Sequence, residues 1–272
     1  MKLELSDAVL EYDLQGTGEP ILFIHGALLA DGFAPLVAQP ALAACQRIRY
    51  YRRGYRSSTP GPGMIPMARH AADARGVLER AALAQAHVVG HSFGALIALQ
   101  LALQAPQMVR SLTLLEAPMR SLAEVGDAQA ALGQARSLYN SGDRPGAVDV
   151  FLRWVAGEDY RSTLEQALGA LVIEHAVADC PAFFDLDAFA LNAWDFQAMH
   201  ARQIACPVLS IMGDSTQVFF QASHEQLVRW LPGSVQTVIY RAGHLLQMER
   251  PQAVAEVLAR FLTRQPAPAA SV

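Results

Sequence analysis

Residues 87–104 read His87-Val88-Val89-Gly90-His91-Ser92-Phe93-Gly94-Ala95-Leu96-Ile97-Ala98-Leu99-Gln100-Leu101-Ala102-Leu103-Gln104, and their order decides the fold. The first four predict a strand, short and apolar enough to be covered on both faces. Residues 95–104 predict a helix that stops at Ala105-Pro106, because the residue before a proline is pushed away from helical geometry. Between them, Gly90-His91-Ser92-Phe93-Gly94 matches G-x-S-x-G, a tight strand-to-helix turn that lifts a serine hydroxyl above the sheet edge. Small residues at 90 and 94 let that turn pass close to its neighbours. The same turn sets the Phe93 N–H at a helix N-terminus, where positive partial charge can stabilise an oxyanion.

Working outward, residues 2–5 and 8–14 alternate like a half-buried hairpin, and 21–24 form a continuous apolar run that ends at His25-Gly26-Ala27. A helix over 33–44 leads to a strand over 47–51, then to a turn-rich loop and a helix over 68–84. Residues 109–115 predict a buried strand ending in Glu116-Ala117-Pro118. Strands return at 207–212 and 234–240, with a closing helix over 251–263. Strands alternating with helices imply an α/β fold, a mostly parallel sheet with helices on both faces. From 117 to 200 helices and loops run without an obvious strand. The expected organisation is a core of residues 1–116 and 201–264, a helical cap insertion at 117–200, and a flexible tail at 265–272.

Composition narrows the classes. Of 272 residues 52% are hydrophobic and 17% charged, enough apolar surface to offset the entropy of ordering. A net charge of −4 leaves no basic footprint for nucleic acid. Three cysteines without C-x-x-C spacing argue against a disulfide scaffold and a zinc site. No G-x-G-x-x-G or P-loop is present, so no metal or cofactor is implied. The first residues lack a signal-peptide apolar segment, and the longest apolar runs fall short of the ~20 residues that span a bilayer. A cytoplasmic protein with no membrane partner is expected; a homo-oligomer stays open.

A serine needs a base and an orienting acid to become a nucleophile. Arg241-Ala242-Gly243-His244 follows the strand at 234–240 directly, so His244 lies at the same sheet edge as Ser92, where ligands bind in open α/β sheets. Ser92 and His244 are therefore the candidate nucleophile and general base.

His25-Gly26 after a strand, Arg53-Gly54-Tyr55 in the next loop, Gly90–Gly94, and Gly243-His244 followed by Glu249-Arg250-Pro251 come in an order that resembles the α/β-hydrolases along nearly the whole chain. The resemblance implies the α/β-hydrolase fold, with catalysis by Ser92 and His244 and an oxyanion hole from the backbone N–H groups of Ala27 and Phe93. It makes His25 and His91 loop-organising residues. One departure concerns the acid. The family places it three residues past the glycine ending the strand at 207–212, and here Gly213-Asp214-Ser215-Thr216 puts a threonine there. A threonine cannot stabilise an imidazolium by charge. Two carboxylates stay open as substitutes. Asp214 is on the right loop but two residues early, and could instead cap a turn. Glu116 ends the strand after the nucleophile helix, where some haloalkane dehalogenases of this superfamily carry their acid. Its extra methylene helps it reach His244, and its bland role would be an ion pair with an arginine such as Arg120.

Nine of the 21 aromatic residues fall in the expected cap, most of them needed for its own core and some to face the cleft. The same segment holds 12 acids against five arginines, an entrance that would repel anions. The expected partner is a small neutral acyl substrate with an apolar portion. The expected reaction is hydrolysis of a carboxylic ester or lactone, with carbon–carbon bond hydrolysis, acyl transfer or perhydrolysis using the same residues as alternatives. A small-molecule receptor with vestigial hydrolysis is the alternative of another class. Serine at 92, in place of aspartate, argues against epoxide hydrolase and dehalogenase chemistry.

Overall fold

The computed structural model describes residues 1–119, 122 and 126–265. Eight strands, β1 (Lys2–Glu4), β2 (Val9–Gln15), β3 (Glu19–Ile24), β4 (Cys45–Tyr50), β5 (Ala86–His91), β6 (Val109–Leu115), β7 (Val208–Gly213) and β8 (Val235–Ile239), form one sheet in the order β1-β2-β4-β3-β5-β6-β7-β8. β1, β2 and β4 pair antiparallel, and every pair from β4 through β3 to β8 is parallel. All the parallel strands therefore end at one edge, and the loops leaving β3, β5, β6, β7 and β8 meet there.

The helices are α1 (Ala34–Val37), α2 (Met67–Arg80), α3 (Phe93–Gln104), α4 (Ala128–Asn140), α5 (Arg144–Ala156), α6 (Tyr160–Leu168), α7 (Val172–Pro181), α8 (Ala188–Ala193), α9 (Ala198–Ala201), α10 (Val218–Trp230), α11 (Leu246–Glu249) and α12 (Pro251–Leu262). α3 is apolar and buried over residues 93–99, as a helix at the centre of the fold must be, with Gln100 and Gln104 its polar residues. It packs with α2 on one face of the sheet, where Leu22, Val88 and Leu112 share a cluster with Leu96 and Leu99. α1 and α12 cover the other face, through Leu36, Val254 and Leu258 against Ile21, Val89 and Ile211. The alternation along β3 (Ile21 and Phe23 one way, Leu22 and Ile24 the other) is the period-2 pattern of a strand buried on both sides.

One expectation is corrected and one helix was not foreseen. The helix foreseen over 33–44 is broken: α1 ends at Val37, and a separate 3₁₀ turn spans Pro40–Leu42. Pro40 lacks an N–H and pushes Gln39 into an extended conformation, φ −72° and ψ 137°. α10 had no counterpart in the sequence reading. Its buried face carries Phe219, Phe220 and Leu227, and Ser223 is a buried polar residue among them.

Between β6 and β7 the chain runs through α4–α9. A six-residue π-helical stretch, Ala182–Asp187, continues α7 into α8. The aromatic side chains of this insertion divide. Phe151, Trp154, Phe183 and Phe184 share a cluster with Leu28 and Leu245 from the sheet-edge loops and with Phe220 of α10. Trp194 and Phe196 instead join the cluster around α3, and Trp194 Nε1 donates to Gln100 Oε1 at 2.7 Å. Residues 266–272 of the expected tail lie outside the described residues. Among the described residues no single helix is long and apolar enough to cross a membrane.

Candidate active site

Ser92 sits between β5 and α3 with φ 52° and ψ −123°, a conformation that L-residues avoid at a cost of roughly 1–3 kcal/mol. The turn is held from both sides: Ser92 N–H donates to Leu115 O at 2.9 Å and Ala95 N–H to Ser92 O at 2.9 Å. The flanking glycines are sterically required. A Cβ on Gly90 would lie 2.4 Å from Gly94 O, and one on Gly94 would lie 2.0 Å from Ile24 O. Gly26 lets the loop after β3 close on the same turn, since a Cβ there would meet Ser92 Cβ at 3.1 Å. The loop carrying Ala27 thus lies directly against the serine.

His244 arrives beside this turn from the loop after β8. His91 Nε2–H donates to its carbonyl at 2.9 Å, and the two imidazole rings are 4.8 Å apart. Glu249 Oε2 accepts from Gly243 N–H at 2.6 Å and braces the loop from its far side. The His244 imidazole is buried, and burial pushes its pKa down to about 3, so the resting ring is neutral. Phe220 stacks on it with centroids 3.8 Å apart and planes at 24°.

The two acid candidates separate. Glu116, buried at φ 51°, reaches His244: Nδ1–H donates to Glu116 Oε2 at 3.3 Å, leaving Nε2 with its lone pair. Thr216 Oγ1 donates to the same Oε2 at 2.8 Å, and Gly213 N–H to Oε1 at 2.7 Å. Burial pushes the carboxyl up to about 7 while these two donors pull the other way. Three donors converging on two oxygens favour the ionised form, because each of these bonds is stronger to a charged carboxylate than to a neutral carboxyl.

Asp214 is corrected as an acid for His244. Its side chain is exposed and turns away, accepting from Ala242 N–H at 3.3 Å and Ser215 Oγ at 2.8 Å. Hydrogen bonds from the Arg241–Ala242 backbone and from Ser215 hold its carboxyl below the usual range. It staples the β7 and β8 loops together, a turn-capping role. Arg120, suggested as a partner for Glu116, lies outside the described residues.

Sequence reasoning missed three roles here. Thr216, at the position where the family carries its acid, holds the Glu116 carboxylate of the neighbouring strand's loop. Phe220 covers the imidazole. Arg52 lies behind the loop of Ala27, bonded to two of its carbonyls. His25 and His91 do organise loops: His25 Nδ1–H donates to Gly26 O at 2.8 Å while its Nε2 accepts from Arg52 N–H at 3.0 Å.

The model of the α/β hydrolase fold matches residues 19–251 of this chain. The chain belongs to the α/β-hydrolase fold family. Over 258 residues it is 28% identical to a 2-hydroxymuconate semialdehyde hydrolase of Pseudomonas putida, covering 91% of this chain and 88% of that one. A protein named for carbamate hydrolysis, RutD of Azorhizobium caulinodans, is 38% identical over 108 residues, but only 40% of this chain and 41% of that one are covered. A thermophilic esterase from Thermogutta terrifontis superposes with a TM-score of 0.82 at 20% identity, over 98% of this chain and 100% of that one. At that identity the superposition shows the shared fold alone. Among the described residues no group of three or more His, Cys, Asp or Glu side chains is placed to hold a metal ion.

Proposed function

We propose that the protein hydrolyses a neutral carboxylic ester or lactone through an acyl-enzyme on Ser92. The observation that carries this reading is the His244–Glu116 contact, with Glu116 held by Thr216 and Gly213. It supplies the acid that the family's usual position lacks. Ser92 Oγ attacks the carbonyl carbon as His244 Nε2 takes its proton, and Glu116 stabilises the imidazolium. The N–H groups of Ala27 and Phe93 hold the oxyanion. Collapse of the tetrahedral intermediate expels the alcohol, which leaves with that proton. A water then attacks the acyl group by the same route and releases the carboxylic acid. A lactone gives the hydroxy acid in the same two steps.

The apolar, neutral character of the substrate is supported by the walls. Phe220 and Leu245 beside His244, and Leu28 next to Ala27, belong to one buried cluster with the aromatic side chains of the insertion. Asp179 and Asp187, two of the acids that weighted the insertion negative, are spent on Arg56 and Arg52. The apolar walls, more than an acidic entrance, therefore argue for an uncharged acyl chain.

A second reading is favoured by the likeness along 91% of the chain to the Pseudomonas putida protein, namely hydrolysis of a muconate-semialdehyde-like compound by the same residues. Intact mass after treatment with a fluorophosphonate tests the proposal. One adduct on the wild type and none on Ser92→Ala is the expected result. Turnover of uncharged p-nitrophenyl esters above that of carboxylate-bearing isosteres then supports the ester reading, and the reverse order supports the second. No adduct on folded wild-type protein would overturn both and favour a small-molecule receptor.

A further inference from the structure

Behind the loop after β3 lies a completely buried ionic cluster that the reaction above does not use. Arg52, in the loop leaving β4, donates from Nη1 to Asp187 Oδ1 at 2.6 Å and from Nη2 to Asp187 Oδ2 at 2.8 Å. The same guanidinium donates from Nε to His25 O at 3.1 Å and from Nη2 to Gly26 O at 3.0 Å. Tyr55 Oη donates to Asp187 Oδ2 at 2.7 Å and accepts from Leu28 N–H at 3.3 Å. Arg52 is 1% exposed and Asp187 0%. Asp187 belongs to the π-helical stretch of the insertion, so the pair joins two elements 135 residues apart in sequence.

The carbonyl of Gly26 and the N–H of Ala27 are two ends of one peptide unit. That unit is planar and its N–H and C=O point in opposite directions. Whatever fixes Gly26 O therefore fixes the aim of the Ala27 N–H. Two donors fix it, the charged guanidinium of Arg52 and His25 Nδ1–H at 2.8 Å. A charge-assisted bond to the carbonyl also polarises the amide and strengthens its N–H as a donor. The guanidinium carbon lies 4.8 Å from the ring centroid of Phe93, the residue with the second oxyanion N–H. A buried cation in this place is tolerable only because Asp187 neutralises it.

We propose that Arg52, clamped by Asp187, is a positioning residue that aims and polarises the Ala27 N–H, so that docking of the insertion completes the oxyanion hole. This rests on the proposed acyl-enzyme reading and deepens it. Transition-state stabilisation at Ser92 is then set in part by a residue of the inserted helices that touches neither substrate nor serine. The π-helical stretch that carries Asp187 is in keeping with this, since such stretches occur frequently at functional sites.

Two variants test this. Arg52→Lys keeps a cation against Asp187 but offers one ammonium where a planar fork served both the carboxylate and Gly26 O. Arg52→Leu combined with Asp187→Leu removes both charges together and leaves no buried ion unpaired. Each is assayed per folded site on a p-nitrophenyl ester, with an aryl trifluoromethyl ketone as a probe that forms an alkoxide on Ser92. Loss of a whole oxyanion donor costs about 10²–10³ in kcat, so a misaimed one should cost about 10–100-fold. The expected result is that fall in kcat with KM within about twofold, a parallel rise in the ketone's Ki, and an unshifted pH profile. A merely structural role would leave the ketone's Ki tracking KM. A kcat within about twofold of wild type in either variant, or a loss confined to KM, would overturn the inference. If instead wild-type protein turns over esters while Ser92→Ala does so equally, the acyl-enzyme reading itself has failed.

Discussion

The loops after β6 and β7 leave adjacent parallel strands at the same sheet edge, with Leu115 paired to Ile211, and each carries a carboxylate. They differ in what surrounds it. Glu116 turns inward at a left-handed residue, is buried, and meets two donors besides His244. Asp214 leaves Gly213 toward solvent and is spent on the turn that joins its loop to the one after β8. In the first loop the cost of burying a carboxyl is offset by hydrogen bonds to its charged form. In the second the carboxylate stays hydrated and gives up only a turn cap when removed. The comparison teaches that the loop nearest the expected position still contributes to the acid: through Thr216 and the Gly213 N–H it supplies two of the three donors, and the adjacent strand supplies the charge.

Gly213→Ala should disturb this arrangement most. Its Cβ would lie 2.2 Å from Ala242 O, so the β7 and β8 loops must separate and the N–H on Glu116 Oε1 must move. A clear fall in Tm and at least a ~100-fold loss of kcat are expected, since a 1 Å misplacement can cost that much. Circular dichroism melting and ester turnover read both.

The wild-type pH profile should come next. Protonating Glu116 removes the charge that stabilises the imidazolium, and burial raises that carboxyl to about 7. Activity is therefore present above this value and lost as pH falls through it. A profile flat from pH 8 to 5 would contradict the assignment. Thr216→Val removes a donor that favours the ionised form, so its acid limb should move to higher pH. Its kcat at pH 8 should fall about tenfold, in keeping with the loss of a hydrogen bond to a charged group. The smallest effect belongs to Asp214→Asn, with kcat within about twofold and a slightly lower Tm.

The strand-and-helix order, the G-x-S-x-G turn and the place of His244 at the sheet edge were legible because each rests on local chemistry: alternation, a steric demand for glycine, or a residue directly after a strand. The 3₁₀ break at Pro40 was legible in principle, since a proline within an expected helix is a breaker. α10 was not, because polar residues, the buried Ser223 and the half-buried His224, interrupt its inward face. The acid could be narrowed to two residues only. Which carboxylate turns inward depends on the left-handed conformation of Glu116 and on partners 97 to 100 residues away. Arg52 and Asp187 are further beyond reach, as nothing local marks an arginine beside a common motif as the partner of an aspartate in the insertion.

The central claim is that Glu116 is the acid of this site, and kcat of Glu116→Gln on an activated ester tests it most directly. Titration with the fluorophosphonate counts competent serines, so that rate and folding are separated. Replacing a triad carboxylate by its amide costs about ten-thousandfold where the acid orients and stabilises the imidazole. A loss of about 10³–10⁴ in kcat, with the Asp214→Asn protein near wild type, is the expected result. A Glu116→Gln protein within tenfold of wild type, or a large loss carried by Asp214→Asn, would contradict it.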